Sequence, residues 1–302
     1  MKKHTPAMNK QIAIIGEVLF DQFPDDQQIL GGAPFNVAWH LQAFGQRPCF
    51  ISRVGNDVLG RQIRSAMATW NMNTDNLQID PDYPTGRVSI SFNHGEPDYQ
   101  ILDNQAYDFI DSNQIEPTAQ YHIIYHGTLA LRHIVSEQTV QQLKLQNNGK
   151  VFIDVNLREP WWQAGQVKQW LTSADWLKLN RHELALLAPE QDSLENTMRR
   201  LLQEYELEIL VVTCGSQGAI AMTHNDVFEV APVTEHTVVD TVGAGDAFAA
   251  VMLLGMEYGW PLPLTMNRAQ DFASALVTQK GATVQELRFY QRFIDDWNLK
   301  LE

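Results

Sequence analysis

The chain has 302 residues, enough for about two average domains or for one large α/β domain. Its 22 Lys and Arg residues against 36 Asp and Glu residues give a net charge of −14, and such an acidic surface repels nucleic acid and anionic membranes. A content of 44% hydrophobic residues excludes a disordered chain. We therefore expect a globular protein with no nucleic-acid or membrane partner.

Strand and helix patterns alternate along most of the chain. Apolar segments with strand character lie at residues 11–16, 48–54, 122–126, 151–155 and 209–213. Helical patterns lie at residues 34–44, 57–70, 136–146, 191–205 and 271–280, and Gly281 is predicted to end the last of these helices. This alternation predicts an α/β fold with a mainly parallel sheet between two layers of helices.

One segment breaks this pattern. Residues 85–92 alternate between apolar and polar side chains, and a second strand-like piece, residues 99–102, follows after a turn. Together they predict a β-hairpin. Because so small a sheet cannot bury a face by itself, we expect it to lie over a partner subunit or over an active site.

The cysteines and the apolar segments indicate the cellular compartment. Cys49 and Cys214 are far apart, and no Cys or His spacing matches a metal site, so both are expected to be core residues of a reducing compartment. The polar residues 1–10 and the short apolar segment after them, which Glu17 interrupts, do not resemble a signal sequence. The most apolar run, Ala247–Met256, is too short to cross a membrane. These features predict a cytoplasmic protein.

The most informative motif is DTVGAGD at residues 240–246, directly before an apolar helix. The backbone N–H groups of residues 243–246 can converge on one anion at the helix N-terminus. Asp246 would repel that anion, but its carboxylate suits a general base that accepts a hydroxyl proton beside it. The alternative is an ordinary N-cap with two turn glycines, and the residue pattern alone favours neither. A dinucleotide fingerprint is disfavoured, since no third glycine follows.

Six blocks resemble, in the same order, the motifs of the ribokinase (PfkB) family of sugar kinases and, more narrowly, of its fructokinases. The blocks are Gly31–Ala38, Val54–Gly60, Asp154–Arg158, Asn180–Glu183, Thr213–Ala219 and Asp240–Phe248. The resemblance implies a ribokinase-like three-layer α/β/α fold with residues 1–302 as a single sugar-kinase domain. It also implies a discontinuous lid from about residues 19–33 and 83–109. Lids of this kind often pair between subunits, which predicts a homodimer.

The family pattern assigns roles around the transferred phosphoryl group. Asp246 would be the base, and the amides of Gly243, Ala244 and Gly245 would stabilise the charge that develops on the phosphoryl group. Asp240 would lie beside a K⁺ ion.

Further residues would hold Mg²⁺ and ATP. Asn180 and Glu183 would position Mg²⁺ and phosphate, partly through water, although their spacing also fits a helix capping box and both roles are allowed. The other residues that the resemblance places at the nucleotide are Thr213, Gly215, Gly218, Lys280 and Gly281.

Sugar recognition would begin with Asp21, whose carboxylate can accept hydrogen bonds from two hydroxyls; without the resemblance, Asp21 is a solvated loop residue. Gly32 and Asn36 would add a backbone and an amide contact. Residues 154, 156 and 158 are predicted to alternate onto one side at the carboxyl end of a strand, where α/β sheets bind ligands. Arg158 would then reach the sugar or the phosphate, and a surface ion pair is the alternative.

The resemblance therefore implies a kinase that uses ATP, Mg²⁺ and K⁺ to phosphorylate D-fructose on its O6 hydroxyl. A 2-keto-3-deoxygluconate kinase shares nearly every motif and remains the alternative. A catalytically silent sugar-binding relative is disfavoured because Asp246 and the glycines are intact. An NAD-dependent oxidoreductase is disfavoured by the incomplete fingerprint.

Overall fold

The computed structural model describes residues 11–300 except residues 26, 94–95, 117–119, 189–192 and 233–236. Its strands are, in chain order, β1 (Gln11–Ile15), β2 (Leu19–Gln22), β3 (Gln28–Gly31), β4 (Cys49–Gly55), β5 (Leu77–Asp80), β6 (Gly86–Asn93), β7 (Glu96–Ile101), β8 (Tyr121–His126), β9 (Lys150–Asp154), β10 (Trp176–Asn180), β11 (Ile209–Thr213), β12 (Ala219–Met222) and β13 (Val227–Val230). Its α-helices are α1 (Ala33–Ala43), α2 (Val58–Thr69), α3 (Ile134–Gln146), α4 (Ala164–Leu171), α5 (Arg181–Leu187), α6 (Leu194–Glu204), α7 (Ala244–Tyr258), α8 (Leu262–Leu276) and α9 (Leu287–Trp297).

Nine strands form one large sheet in the order β13-β12-β11-β10-β9-β8-β1-β4-β5. Neighbouring strands are parallel from β11 to β5, and the pairs β11-β12 and β12-β13 are antiparallel. This confirms the predicted mainly parallel sheet.

Both faces of the large sheet are covered by helices. Alternate side chains of β1 enter opposite cores, Ile12 and Ile14 on one face and Ala13 and Ile15 on the other. Residues of α1, α2, α7, α8 and α9 belong to the first core, and residues of α3, α4, α5 and α6 belong to the second. The result is the expected three-layer α/β/α architecture.

A separate four-stranded sheet has the order β3-β2-β6-β7, and we call it the small sheet. The antiparallel pair β6-β7 is the predicted hairpin, although turn residues 94–95 lie outside the described residues. The small sheet is anchored to the large one next to α2. The Asp57 carboxylate caps α2 through the Gly60 N–H at 2.8 Å and also accepts the Thr85 N–H at 2.9 Å, directly before β6.

Two expectations about the C-terminal part are wrong. The helix expected at residues 271–280 is α8, which ends at Leu276, and α9 follows it. The Val277 carbonyl accepts the N–H groups of Val239 and Asp240, at 2.8 and 3.1 Å, so it is not available to a continuing helix. Gly281 therefore does not cap α8 but lies in the connection to α9, with φ +84°.

The other expected helices and strands are present, with ends that differ by up to three residues. The helix predicted at 191–205 is α6, and residues 191–192 lie outside the described part. Cys49 is buried, Cys214 is half-buried, and both are free thiols. Within the described residues, none of the helices combines the length and the apolar character that a membrane crossing requires.

Candidate active site

A cavity of about 580 Å³ lies at the carboxyl ends of β9, β10 and β11, next to the N-terminus of α7. Parallel α/β sheets bind ligands at this edge. Eight of the predicted site residues line it: Asn180, Glu183, Thr213, Gly215, Gly218, Ala244, Gly245 and Asp246. An apolar wall completes the cavity and includes Phe248, Ala273 and Val277. A polar end and an apolar end within one cavity suit a ligand with a phosphate and a ring.

Asp246 stands in the first turn of α7, where the chain presents its carboxylate to the cavity. The Asn36 amide of α1 donates a hydrogen bond of 2.8 Å to its Oδ2 atom. Burial raises the pKa of Asp246 to about 6, and the Asp154 carboxylate adds to this effect. The hydrogen bond from Asn36 and the charges of Lys178 and Arg158 oppose it. The group is therefore ionised at neutral pH but more basic than an exposed aspartate.

The backbone before Asp246 leads into the helix N-terminus that the motif predicted, but the amides that are free differ from the predicted set. Gly243 is the N-cap of α7 and has a left-handed φ of 78°. The Ala244 N–H already donates to the Thr241 carbonyl, at 3.3 Å. Gly245 and Asp246 occupy the second and third helical positions, whose N–H groups have no acceptor within a helix. These two amides, and not that of Ala244, are the ones available to an anion.

Lys178 is a residue of this site that the sequence interpretation missed. Its side chain is only 6% exposed, and its Nζ lies 2.9 and 2.8 Å from the two carboxylate oxygens of Asp154, on the neighbouring strand β9. A Cβ atom on Gly245 would lie 3.4 Å from the same Nζ. The ammonium group is thus beside the free amides of α7. The available signal was a lone lysine inside the apolar run before Asn180.

Asn180 and Glu183 form the capping box that their spacing allows. The Glu183 N–H donates to Asn180 Oδ1 at 2.9 Å, and the Asn180 N–H donates to Glu183 Oε2 at 2.8 Å. Glu183 Oε1 accepts the Leu157 N–H at 2.8 Å. Burial raises the pKa of Glu183. Each carboxylate oxygen of Glu183 thus already accepts one N–H group and keeps one lone pair for a further contact.

Asp240 ties two segments together. Its Oδ1 accepts the Val242 N–H and its Oδ2 accepts the Gly281 N–H, both at 3.0 Å. The loop before α7 is thereby joined to the chain after α8. Lys280 is exposed and, like Gly281, is not among the residues that line the cavity. The groups of three or more His, Cys, Asp or Glu side chains that would bind a metal directly are absent from the described part of the chain.

The residues predicted to bind the sugar are not among those that line this cavity, but Asn36 contacts Asp246 directly. Asp21 is on β2, and burial raises the pKa of its carboxyl group while the nearby Arg158 lowers it. Gly32 has φ +112°, and a Cβ there would lie 2.6 Å from the Glu17 carbonyl oxygen. Asn36 is buried and bonds Asp246, so its amide is engaged by the base.

Arg158 reaches the site by a different route from the one predicted. Strand β9 ends at Asp154, and Asn156 has a left-handed φ of 46°, so the expected alternation of residues 154, 156 and 158 along a strand is wrong. Arg158 is exposed but lies close enough to Glu17, Asp21 and Asp246 to lower the pKa of each carboxyl group.

Two more charged residues lie at this edge of the sheet that were not among the predicted site residues. Glu17 follows β1, its side chain is fully buried, and burial raises its pKa to about 7. Its Oε2 atom has no hydrogen-bond partner among the described residues. Arg132 lies beyond β8 and forms a buried, two-pronged ion pair with Asp108 at 2.7 Å. A position just after a parallel strand was the signal for Glu17.

The comparison with family models decides the class of protein. The model of the pfkB family carbohydrate kinases matches residues 10–287. The chain belongs to this family. It is therefore a carbohydrate kinase, as the six motif blocks predicted, and its mainly parallel sheet with a separate small sheet is the ribokinase-like fold.

The individual relatives of this chain include kinases that are named for different substrates. A fructokinase from Klebsiella pneumoniae is 30% identical over 298 residues, which cover 91% of this chain and 95% of that protein. A 5-dehydro-2-deoxygluconokinase from Geobacillus thermodenitrificans is 25% identical over 270 residues, covering 84% and 80%. Among solved structures, a fructokinase double mutant from Vibrio cholerae O395, bound to fructose, ADP and a potassium ion, superimposes with a TM-score of 0.80 at 25% identity, covering 93% of this chain and 97% of that one.

Proposed function

We propose that this carbohydrate kinase transfers the γ-phosphoryl group of ATP to the O6 hydroxyl of D-fructose. The observation that carries the proposal is the arrangement around Asp246. A carboxylate of raised pKa, held by Asn36, lies beside two free backbone amides and a buried ammonium group. Phosphoryl transfer requires a base for the attacking hydroxyl and fixed positive charge for the phosphoryl oxygens. The carboxylate and the two amides lie in the first turn of α7, and the ammonium group lies beside them.

The reaction is a direct in-line displacement. Asp246 accepts the proton of the O6 hydroxyl as this oxygen attacks the γ-phosphorus. A new O–P bond forms while the bond from the γ-phosphorus to the bridging β–γ oxygen breaks, and ADP leaves with the electron pair of that bond. The amides of Gly245 and Asp246 and the ammonium of Lys178 stabilise the charge on the transferred oxygens.

The donor groups of the site fit both proposed cations. Asp154, Asn180 and Glu183 line the cavity with carboxylate and amide oxygens, the ligands that Mg²⁺ prefers together with water and phosphate. Mg²⁺ bound there would neutralise phosphate charge. For K⁺, the Asp240 carboxylate would supply a charged ligand next to the backbone that leads into α7. The potassium-bound fructokinase from Vibrio cholerae supports this second assignment.

Charge at the sugar side favours a neutral substrate. Asp21, Glu17 and Asp246 place three carboxyl groups there, and Arg132 is already neutralised by Asp108. A sugar acid would add a carboxylate whose burial is costly without a cation of its own. The fructokinase relative supports D-fructose, whereas the deoxygluconokinase relative keeps a sugar acid as the competing substrate.

We assign the small sheet the role of a lid over the sugar. It carries Asp21 on β2, and its base is fixed by Asp57 and Thr85. The Tyr99 side chain on β7 is 54% exposed, which suits a homodimer that pairs two small sheets.

A coupled assay of ADP release tests the proposal. The protein is given ATP, Mg²⁺ and K⁺ with hexoses, pentoses and sugar acids in turn, and each sugar is also tested with the variant Asp246→Asn. We expect the fastest sugar-dependent ADP release with D-fructose, and release by the variant that is slower by about 10²-fold or more. The proposal would be contradicted if none of the sugars in the panel stimulated ADP release, or if the variant released ADP as fast as the wild-type protein.

A further inference from the structure

His40 is a buried polar residue that none of the roles above uses. It lies on α1, its side chain is fully buried, and burial lowers its pKa to about 3, so the imidazole is neutral. Its Nε2 lies 3.1 Å from the Ala282 carbonyl oxygen, and its Nδ1 lies 2.9 Å from the Tyr290 hydroxyl. A carbonyl can only accept, so Nε2 carries the proton, and Nδ1 accepts from the Tyr290 hydroxyl, which also lies 3.3 Å from the Val284 carbonyl oxygen. The ring is thus fixed in one tautomer.

The carbonyl that His40 binds belongs to the segment that supports the anion loop. We define the anion loop as residues 240–246. A Cβ on Gly243 would lie 2.5 Å from the Ala282 Cα, so the two backbones are in direct contact. One residue earlier, the Gly281 N–H bonds the Asp240 carboxylate at 3.0 Å. A shift of Gly281 and Ala282 would therefore move both Asp240 and Gly243.

Helix α1 connects this segment to the base. Asn36 bonds Asp246, and one turn later Trp39 Nε1 donates to the Val284 carbonyl at 3.0 Å. His40 bonds the Ala282 carbonyl from the next position along the helix. Residues spaced by three and four positions share one face of a helix, so a single rigid element holds the base on one side and the chain at 282–284 on the other.

Packing alone does not account for a histidine at this position. The ring contacts Phe272 edge-on, with the centroids 5.1 Å apart, in an otherwise apolar core. An aliphatic or aromatic side chain would fill this space without the cost of burying two polar nitrogens. The imidazole offsets that cost only through its two hydrogen bonds, one of which ends on the backbone beside the anion loop.

We propose that His40 is a positioning residue that, through the Ala282 carbonyl, holds the anion loop in the conformation that phosphoryl transfer requires. The proposal rests on the kinase function proposed above, since it assigns the hydrogen bond to the phosphoryl-transfer step. It implies that loss of this bond lowers kcat and leaves sugar binding nearly intact, because the sugar residues Asp21 and Gly32 are not part of the chain of contacts.

Three variants and one control separate positioning from packing. His40→Leu removes both hydrogen bonds, His40→Gln keeps a donor and an acceptor, and Tyr290→Phe removes the hydroxyl that donates to Nδ1. Phe272→Leu perturbs the same core without touching a hydrogen bond of the chain. For each variant we would measure kcat, the KM for ATP and for the best sugar of the screen, Tm, and amide hydrogen exchange over residues 240–246.

A misplaced loop predicts a specific pattern. His40→Leu should lower kcat about 10- to 100-fold with sugar KM changed less than about threefold, and should speed amide exchange in the anion loop. His40→Gln should recover most of kcat, and Tyr290→Phe should lie between. Phe272→Leu should lower Tm and leave kcat within about twofold.

Other results would overturn the proposal. These are a kcat for His40→Leu equal to that of Phe272→Leu, or unchanged exchange in the anion loop. If His40→Leu fails to fold, the kcat and the anion-loop amide exchange of His40→Gln and Tyr290→Phe are compared with those of Phe272→Leu instead. If the wild-type protein phosphorylates no sugar, the proposed function fails, but the exchange measurement still tests whether His40 orders the loop.

Discussion

Asp246 combines two requirements that conflict in water. A general base must be ionised at the working pH and yet basic enough to accept a hydroxyl proton. Burial raises the pKa of the Asp246 carboxyl to about 6, while Asn36, Lys178 and Arg158 limit the rise. In the mechanism proposed above, the environment of this single carboxylate sets the pH range in which the kinase works.

The pH dependence of activity and of stability should both report on Asp246. In wild type, kcat/KM should fall as pH drops through about 6, because the base becomes protonated. Burial raises the pKa of the folded-state carboxyl above its ordinary value of 3.8, so ionisation costs stability, and this cost appears as pH rises from about 4 to 6.

Asp246→Asn should lower kcat by about 10²-fold or more with KM little changed. The same variant should raise Tm at neutral pH, and this gain should vanish below about pH 4. Rate assays and thermal melts across pH check both effects. Near wild-type kcat in the variant would refute the assignment of the base.

Lys178 makes two contributions that mutagenesis can separate. Lys178→Met should lower kcat by about 10²-fold, because the ammonium beside Gly245 no longer stabilises phosphoryl charge. It should also destabilise the fold by about 3 kcal/mol, since Asp154 remains buried without its partner.

A second substitution provides the control for Lys178. Adding Asp154→Asn removes the buried charge, so the double variant should regain most of the lost stability without regaining kcat. Denaturant melts and steady-state rates of both variants and of Asp154→Asn alone test this. Recovery of kcat in the double variant would show that Lys178 acts only through the ion pair.

At the scale of the element, the start of α7 decides whether an anion site exists. Gly243 adopts a left-handed φ of 78° and approaches the backbone of Ala282, which only a residue without a Cβ can do. The other end of the same helix provides a contrast. Gly259 also has a left-handed φ, of 63°, but a Cβ there would meet nothing within 4 Å.

This contrast gives a matched pair of substitutions. Gly243→Ala and Gly259→Ala carry the same backbone penalty, of the order of 1 kcal/mol, so both should lower Tm slightly. Only Gly243→Ala must also displace Ala282, so it alone should lower kcat by about 10-fold or more. Equal losses of kcat in the two variants would contradict the proposed role of the anion loop.

The link between Asp240 and Gly281 predicts a response to monovalent cations. K⁺ beside the Asp240 carboxylate should order the anion loop and raise kcat relative to a buffer with tetramethylammonium, which is too large to bind there. Asp240→Asn should weaken this response. Identical rates in the two buffers would contradict the proposed K⁺ site.

The sequence predicted those helices and strands whose own residues show a clear pattern of apolar and polar side chains. The period-two pattern of residues 85–92 and the helical spacing of α1 and α2 gave these elements almost to the residue. Strand β10 was missed because Lys178 interrupts its apolar run, and the Asp154 that neutralises it lies 24 residues earlier in the chain. The end of α8 was misplaced because the Val277 carbonyl is used by residues 239 and 240.

The residues of the candidate site also divide into those that a short motif predicts and those that depend on partners distant in the chain. Asp246, the free amides and the Asn180–Glu183 pair follow from short motifs, whereas the resemblance was needed to single out Asp21. Glu17, Arg132 and Lys178 carry no motif, because their meaning depends on burial and on partners from other strands. The position of Arg158 could not be predicted because it depends on the left-handed conformation of Asn156. An asparagine permits this conformation but does not require it.

At the scale of the whole molecule, a chain with a net charge of −14 has to bind a polyanionic nucleotide. We propose that it does so with local devices at the carboxyl edge of the large sheet, namely helix amides and one buried lysine, while the rest of the acidic surface repels anions. The sugar side keeps an excess of carboxyl groups, which selects for hydroxyls that donate hydrogen bonds.

The central claim is therefore that a neutral ketohexose is the substrate. The most direct test is kcat/KM for D-fructose and for 2-keto-3-deoxygluconate, measured on the same preparation with saturating ATP, Mg²⁺ and K⁺. We predict a higher value for D-fructose, since its hydroxyls can donate to Asp21 and Asp246, whereas a sugar acid would need a cation such as Arg158 or Arg87 to pair with its carboxylate. A higher value for the sugar acid would contradict the assignment of D-fructose and leave the carbohydrate kinase with a different substrate.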